Sequence, residues 1–240
     1  VVYILVVGLV LFPFGFFANS VKEYAAVNPG FNSTLPLENM YILSLILLLI
    51  SLFLLCFYRD PERKIESGIV SPADGLVQRS EIKKGMVYIS IFMNVHNVHV
   101  NRSPLAGRII SIKHKSGGYL PAFSKDSDKN ERLMTKIETS IGTMKVIQIA
   151  GVLVRRIVSY VKPNAEVSKG ERIGLIHFGS RVDLSFESAG IDLLVKKGNK
   201  VLAGQQLAEY TPMSSLSVTE KLFEVPKRML SKLQATQSKD

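Results

Sequence analysis

The sequence predicts a mainly β fold: a small, curved β-sandwich of the barrel-sandwich type with an internal pseudo-repeat, preceded by two transmembrane helices. Three observations carry that expectation. Two apolar blocks with few charges lie before residue 60. From Gly68 to Tyr210 short β-branched runs alternate with Gly, Pro and Asn. Within that stretch, two pairs of segments echo one another.

The first apolar block runs from Val1 to Ala18 and the second from Tyr41 to Tyr58. Each is near the ~20 residues that a helix needs to span a bilayer. A signal peptide accounts for the first block but not the second. Arg59, Arg63 and Lys64 follow the second block, whereas Lys22 is the one base between Asn19 and Met40. The positive-inside rule then places the chain in the cell membrane on a two-span anchor, with everything after residue 58 cytoplasmic. Because the chain opens inside an apolar run, a segment preceding Val1 is expected. Residues 1–58 thus read as an anchor, 59–212 as the folded domain, and 213–240 as a basic amphipathic or loose tail.

Strands are expected at Gly75–Gln78, Val87–Phe92, Gly107–Lys113, Met134–Thr139, Met144–Ala150 and Arg181–Phe186. Residues 151–160 fit either a strand or a short helix. The polar stretch Ser116–Glu131, with Gly117-Gly118, reads as a long surface loop. Of the echoes, Ser71-Pro72-Ala73-Asp74-Gly75 resembles Ser103-Pro104-Leu105-Ala106-Gly107. Likewise Val167-Ser168-Lys169-Gly170-Glu171-Arg172-Ile173 resembles Val195-Lys196-Lys197-Gly198-Asn199-Lys200-Val201. The latter, with Ala203-Gly204-Gln205-Gln206-Leu207, is similar to the turns of biotinyl and lipoyl carrier domains, which suggests two similar halves.

The formal net charge is +10, carried after residue 58. Such a surface suits an anionic partner, and the apolar blocks favour an acidic lipid surface over nucleic acid. Cys56 is the single cysteine, which excludes an intrachain disulfide and a thiolate metal cluster.

The candidate chemistry sits on few residues. His96 and His99 have H-x-x-H spacing, but no third ligand accompanies them, so no metal is expected. His114 and His177 are isolated and read as structural. Asp74, between Pro72 and Gly75, is held in a turn. Ser180 follows Gly179, and glycine permits the backbone geometry that lets a serine hydroxyl reach its own peptide carbonyl. A carboxylate orienting a histidine that deprotonates a serine is a general recipe for an activated hydroxyl. With Asp74 and Ser180 as the carboxylate and the serine of that recipe, an internal N-to-O acyl shift is the expected outcome.

The ordered motifs Phe57-Tyr58-Arg59-Asp60-Pro61-Glu62-Arg63, Val70-Ser71-Pro72-Ala73-Asp74-Gly75 and Val95-His96-Asn97-Val98-His99 come first. Asn101-Arg102-Ser103-Pro104, Asn130-Glu131-Arg132, Gln148-Ile149-Ala150-Gly151, Arg155-Arg156-Ile157 and Phe178-Gly179-Ser180-Arg181-Val182-Asp183 follow. Together they resemble the phosphatidylserine decarboxylase proenzymes and their archaetidylserine counterparts. The resemblance implies self-cleavage between Gly179 and Ser180 into a β chain (1–179) and an α chain (180–240) that remain associated. It implies a covalent pyruvoyl cofactor derived from Ser180 and a serine phospholipid substrate converted to the ethanolamine lipid plus CO2. Asp74 and His99 would activate Ser180, and His96 would serve decarboxylation. Arg155, Arg156 and Arg181 would contact phosphate, since guanidinium forks suit phosphate oxygens. His177 stands where arginine is common in short members. An anionic membrane surface is the implied partner, nucleic acid is not, and a homo-oligomer is compatible with the pattern.

Two other classes fit parts of the sequence. A membrane adaptor with a lipoyl-like domain explains the anchor and repeat, but leaves Asp74, His96, His99 and Gly179-Ser180 without a purpose. A membrane-tethered serine hydrolase would use Ser180, His99 and Asp74 on an external substrate.

Overall fold

The computed structural model describes residues 20, 22–28, 37–118, 130–151, 156–177 and 180–210, with only the backbone of 37–44. The chain divides into two compact units, Val1–Arg59 and Asp60–Asp240. In the first, helix α1 spans Leu37–Phe57. Arg59 follows it and donates to the Cys56 carbonyl at 2.5 Å, closing the last turn.

No helix among the described residues is long and apolar enough to cross a membrane. This corrects the expected two-span anchor, and with it the membrane localisation and the cytoplasmic placement. The apolar block Val1–Ala18, the tail 213–240 and most of the expected loop between Ser116 and Glu131 lie outside the described residues.

The second unit is mainly β. Its strands are β1 (Ile69–Val70), β2 (Gly75–Lys83), β3 (Met86–Met93), β4 (Val100–Arg102), β5 (Gly107–Lys115), β6 (Arg132–Thr139) and β7 (Gly142–Ile149). They continue with β8 (Ile157–Ser159), β9 (Glu166–Val167), β10 (Arg172–Ile176), β11 (Ser180–Glu187), β12 (Ile191–Leu193), β13 (Lys200–Val201) and β14 (Gln206–Tyr210). One eight-stranded sheet has the order β13-β2-β3-β11-β7-β6-β5-β9. Two three-stranded sheets, β1-β14-β12 and β4-β10-β8, complete the fold. All six expected strands are present, most of them longer than their apolar runs, and the ambiguous 151–160 segment contains β8.

Local chemistry explains the pairing. The β2–β3 hairpin turns through Lys84 and Gly85, both at positive φ, as a two-residue hairpin loop requires. Strict alternation then sends Val87, Ile89, Ile91 and Met93 of β3 and Val182, Leu184 and Phe186 of β11 to one face. These side chains join Ile69, Ile173, Ile176 and Leu207 from the smaller sheets in a single apolar core.

The two halves are related by a local two-fold arrangement. Ser71 Oγ donates to the Ala73 carbonyl and Ser103 Oγ to that of Leu105, both at 2.7 Å. Val70 N–H donates to Pro104 O, and reciprocally Arg102 N–H to Pro72 O. Gly204 N–H meets Ser71 O as Gly170 N–H meets Ser103 O. The two-fold therefore matches Val167–Glu171 with Val201–Gln205, rather than with Val195–Asn199 as the sequence echo suggested. All three segments share one turn, closed by a backbone bond from its last residue and by a side chain reaching back.

Candidate active site

Ser180 opens β11, the strand flanked by β3 and β7 near the middle of the large sheet. It faces the core, is fully buried, and lies directly opposite Met93. Among the described residues its Oγ has no hydrogen-bond partner. A hydroxyl left in that state is costly, by about 1–3 kcal/mol.

His99 immediately precedes β4. It is fully buried, and its carbonyl accepts from Ile176 N–H at 3.3 Å, at the end of the strand that leads into Ser180. The segment 94–98 bridges from Met93, opposite Ser180, to His99. Within it, Asn97 N–H bonds to Asn94 O, and Asn97 Oδ1 accepts from Asn94 N–H, both at 2.9 Å. His99 Nδ1 lies 2.8 Å from Asn97 O. A carbonyl only accepts, so Nδ1 carries the proton and Nε2 holds the lone pair of a base.

Asp74 is 3% exposed and held from two sides. Its Oδ2 pairs with Arg63 at 2.5 Å, and its Oδ1 accepts from Ala203 N–H at 2.8 Å. The bond fixing the His99 tautomer thus runs to a backbone carbonyl, while Asp74 is fixed by Arg63. Asp74 precedes β2 and Ser180 begins β11, so the two border the end of β3 from opposite sides, with their strands about 10 Å apart. Gly75 is required here, because a Cβ would stand 2.2 Å from the Phe92 carbonyl oxygen.

His96 is exposed and lines a cleft of about 390 Å³ with Gly75, Leu76, Phe92, Asn97 and Lys200. Asn97 connects this cleft to His99 through its carbonyl. Arg181 is buried, and strand alternation puts it on the sheet face opposite to Ser180, where its Nη2 donates to Asp183 at 2.9 Å. Arg156 is exposed, and its carbonyl accepts from His177 N–H. Burial first, and the Arg156 charge second, hold His177 below its ordinary imidazole value. Gly179 and Arg155 lie outside the described residues.

Three residues with defined places here were given no role on sequence grounds. Arg63 is one, and the neighbouring Asp60 and Glu62 likewise anchor their segment, Asp60 to Arg102 and Arg172, and Glu62 to Arg172. The others are Asn101 and Gln148, both fully buried, with Gln148 Nε2 donating to Asn101 Oδ1 at 2.8 Å. Gln148 was detectable: Met144, Val146 and Gln148 share one strand face, and an amide at its end breaks an apolar series.

The comparisons with known proteins agree with these motifs. A family profile described as phosphatidylserine decarboxylase matches residues 50–209. The chain is 50% identical over 153 residues to a phosphatidylserine decarboxylase proenzyme of Streptomyces coelicolor, covering 63% of this chain and 70% of that one. It is 44% identical over 198 residues to a protein of Methanosarcina mazei described as an archaetidylserine decarboxylase proenzyme, covering 81% and 92%.

Proposed function

Because the chain belongs to the phosphatidylserine decarboxylase family, we propose that it is a proenzyme that cuts itself between Gly179 and Ser180 and decarboxylates a serine phospholipid. The observation that carries the reading is Ser180: a buried hydroxyl without a partner among the described residues, at the first position of β11, beside the segment that holds His99.

His99 Nε2 takes the Ser180 proton, and Oγ attacks the Gly179 carbonyl carbon. The peptide bond gives way to an ester, and the residue-180 nitrogen becomes a free amine. Loss of the Cα proton breaks the Cβ–Oγ bond, leaving Gly179 as a carboxylate. Water then displaces ammonia, and residue 180 ends as a pyruvoyl group. The fully buried Oγ, with no partner among the described residues, fits this role. A hydrolase acting in trans needs an accessible serine, so burial favours internal attack.

The pyruvoyl group, once present, supplies an electron sink for loss of CO2 from an amino-acid headgroup. The cleft holding His96 and Lys200 receives that headgroup, with Lys200 facing its phosphate and the His96 imidazole delivering a proton to the α carbon. Arg156 meets His177 through its carbonyl beside the strand that leads to Ser180, and Arg155 and Arg156 supply positive charge for the phosphate. Arg181 faces away from Ser180, which favours a structural pairing with Asp183. The net charge of +10 suits an anionic lipid surface. After cleavage β11 retains its ladders to β3 and β7 on either side, which holds the two products together.

The test is CO2 release from vesicles containing phosphatidylserine or archaetidylserine, which also identifies the lipid tails. Wild type releases CO2 from at least one of them, and Ser180→Ala releases none. A Ser180→Ala protein with undiminished decarboxylation refutes the reading.

A further inference from the structure

We infer that Asn101 supplies the hydrogen bond that stabilises the oxyanion of self-cleavage, and that Gln148 is the residue that positions it. The inference rests on the self-cleavage reading above. β3 and β7 are the two neighbours of β11. Asn101, on β4, touches both: its Oδ1 accepts from Gln148 Nε2 of β7, and its Nδ2 donates to Met93 Sδ of β3 at 3.6 Å. Its side chain therefore straddles β11 on the core face, where Ser180 and Val182 point inward. Met93 lies directly opposite Ser180, and Gln148 opposite Val182, one core-facing position further on.

The bonding of this pair is lopsided. Asn101 and Gln148 are 0% and 1% exposed, so every polar atom they carry is expected to be satisfied. Yet the Asn101 amide nitrogen, a strong donor, has been given a thioether, a weak acceptor. Gln148 Oε1 has no partner among the described residues, and neither has Ser180 Oγ. Unspent amide capacity is thus concentrated in the core beside the one serine that the reaction uses. When Oγ adds to the preceding carbonyl, negative charge appears on that carbonyl oxygen, next to residue 180. The Asn101 amide N–H, held on the core face against Met93 opposite Ser180, would gain a strong acceptor at that moment. The Gln148 bond to Oδ1 is what keeps Nδ2 turned toward β11. Gly174 makes room for it, since a Cβ there would stand 3.0 Å from Gln148 Nε2.

The experiment follows cleavage of the full chain after synthesis, by denaturing gel and intact mass. Asn101→Leu is expected to slow cleavage by about 10²–10³-fold, the usual effect of removing one such donor. Gln148→Met is expected to slow it less. The double variant Asn101→Leu/Gln148→Met removes both amides and leaves neither partner stranded. It is expected to recover thermal stability relative to the single variants while remaining slow to cleave. The fraction of chain trapped at Gly179 by hydroxylamine should fall in parallel, and in the double variant it should stay low although thermal stability returns, which a purely structural role would not produce. If wild type cleaves and Asn101→Leu keeps pace within threefold, the inference fails alone. It also fails if the double variant regains the wild-type rate along with its stability. If wild type never cleaves, the self-cleavage reading fails and takes this inference with it.

Discussion

Replacing Arg63 with methionine should destabilise the β unit through Asp74. The guanidinium meets Asp74 Oδ2 at 2.5 Å, with the Arg63 side chain 17% exposed and that of Asp74 4%. Removing one partner of a buried ion pair costs about 3–5 kcal/mol, because the remaining charge stays buried. Ala203 N–H still serves Oδ1, and the arginine end reaches some solvent, so the cost falls just below that range, at about 2–3 kcal/mol. In a unit of this size that lowers the midpoint of thermal melting by about 5–10 °C. Asp74→Asn, which removes the charge, should cost less, and Arg63→Met/Asp74→Asn should cost no more than Arg63→Met alone. Thermal melts and urea titrations of the four proteins close the double-mutant cycle. A coupling below about 0.5 kcal/mol would refute the buried-pair account, reducing Arg63 to a surface residue.

The other predictions concern the site and its surroundings. His99→Ala should slow self-cleavage by about 10²–10⁴-fold, the range for a lost general base, as read from gel time courses. His96→Gln should leave the two-chain product intact while lowering CO2 release, which separates its role from that of His99. His177 has a folded-state value held below its unfolded one, so the unfolded chain binds more protons as the pH falls through about 6.5. Its contribution is therefore absent at higher pH and becomes a loss of stability below that value. Urea titrations at pH 5 and 7 should show a smaller difference in His177→Gln than in wild type. Gly75→Ala should cost about 3 kcal/mol, since its Cβ meets a backbone oxygen that cannot yield, and a melt within 2 °C of wild type would contradict this.

Much of this was legible in the sequence because strands are written in local alternation. Val87 to Phe92 and Arg181 to Phe186 alternate in a way that only a half-buried strand satisfies, and glycine punctuates both. The Ser-Pro echo was legible because the same hydroxyl-to-carbonyl bond is made twice. What could not be read is what depends on non-local geometry. Arg63 was taken as a flanking base because nothing in its spacing from Asp74 reveals that they pair. The tautomer-fixing acceptor of His99 is a main-chain carbonyl two residues away, which side-chain reasoning overlooks. Asn101 and Gln148 are far apart in sequence and meet only because the fold brings β4 against β7. The anchor was expected from apolar composition alone, and no helix among the described residues is long and apolar enough to cross a membrane. Family resemblance named the serine, and the fold buries it at the first position of β11.

The most direct test of the central claim is denaturing intact-mass spectrometry of the purified protein. The account predicts two fragments that meet at Gly179 and Ser180. The smaller should be lighter, by the mass of ammonia, than the same fragment bearing a free N-terminal serine. A folded, decarboxylating preparation consisting of one uncut chain would contradict it.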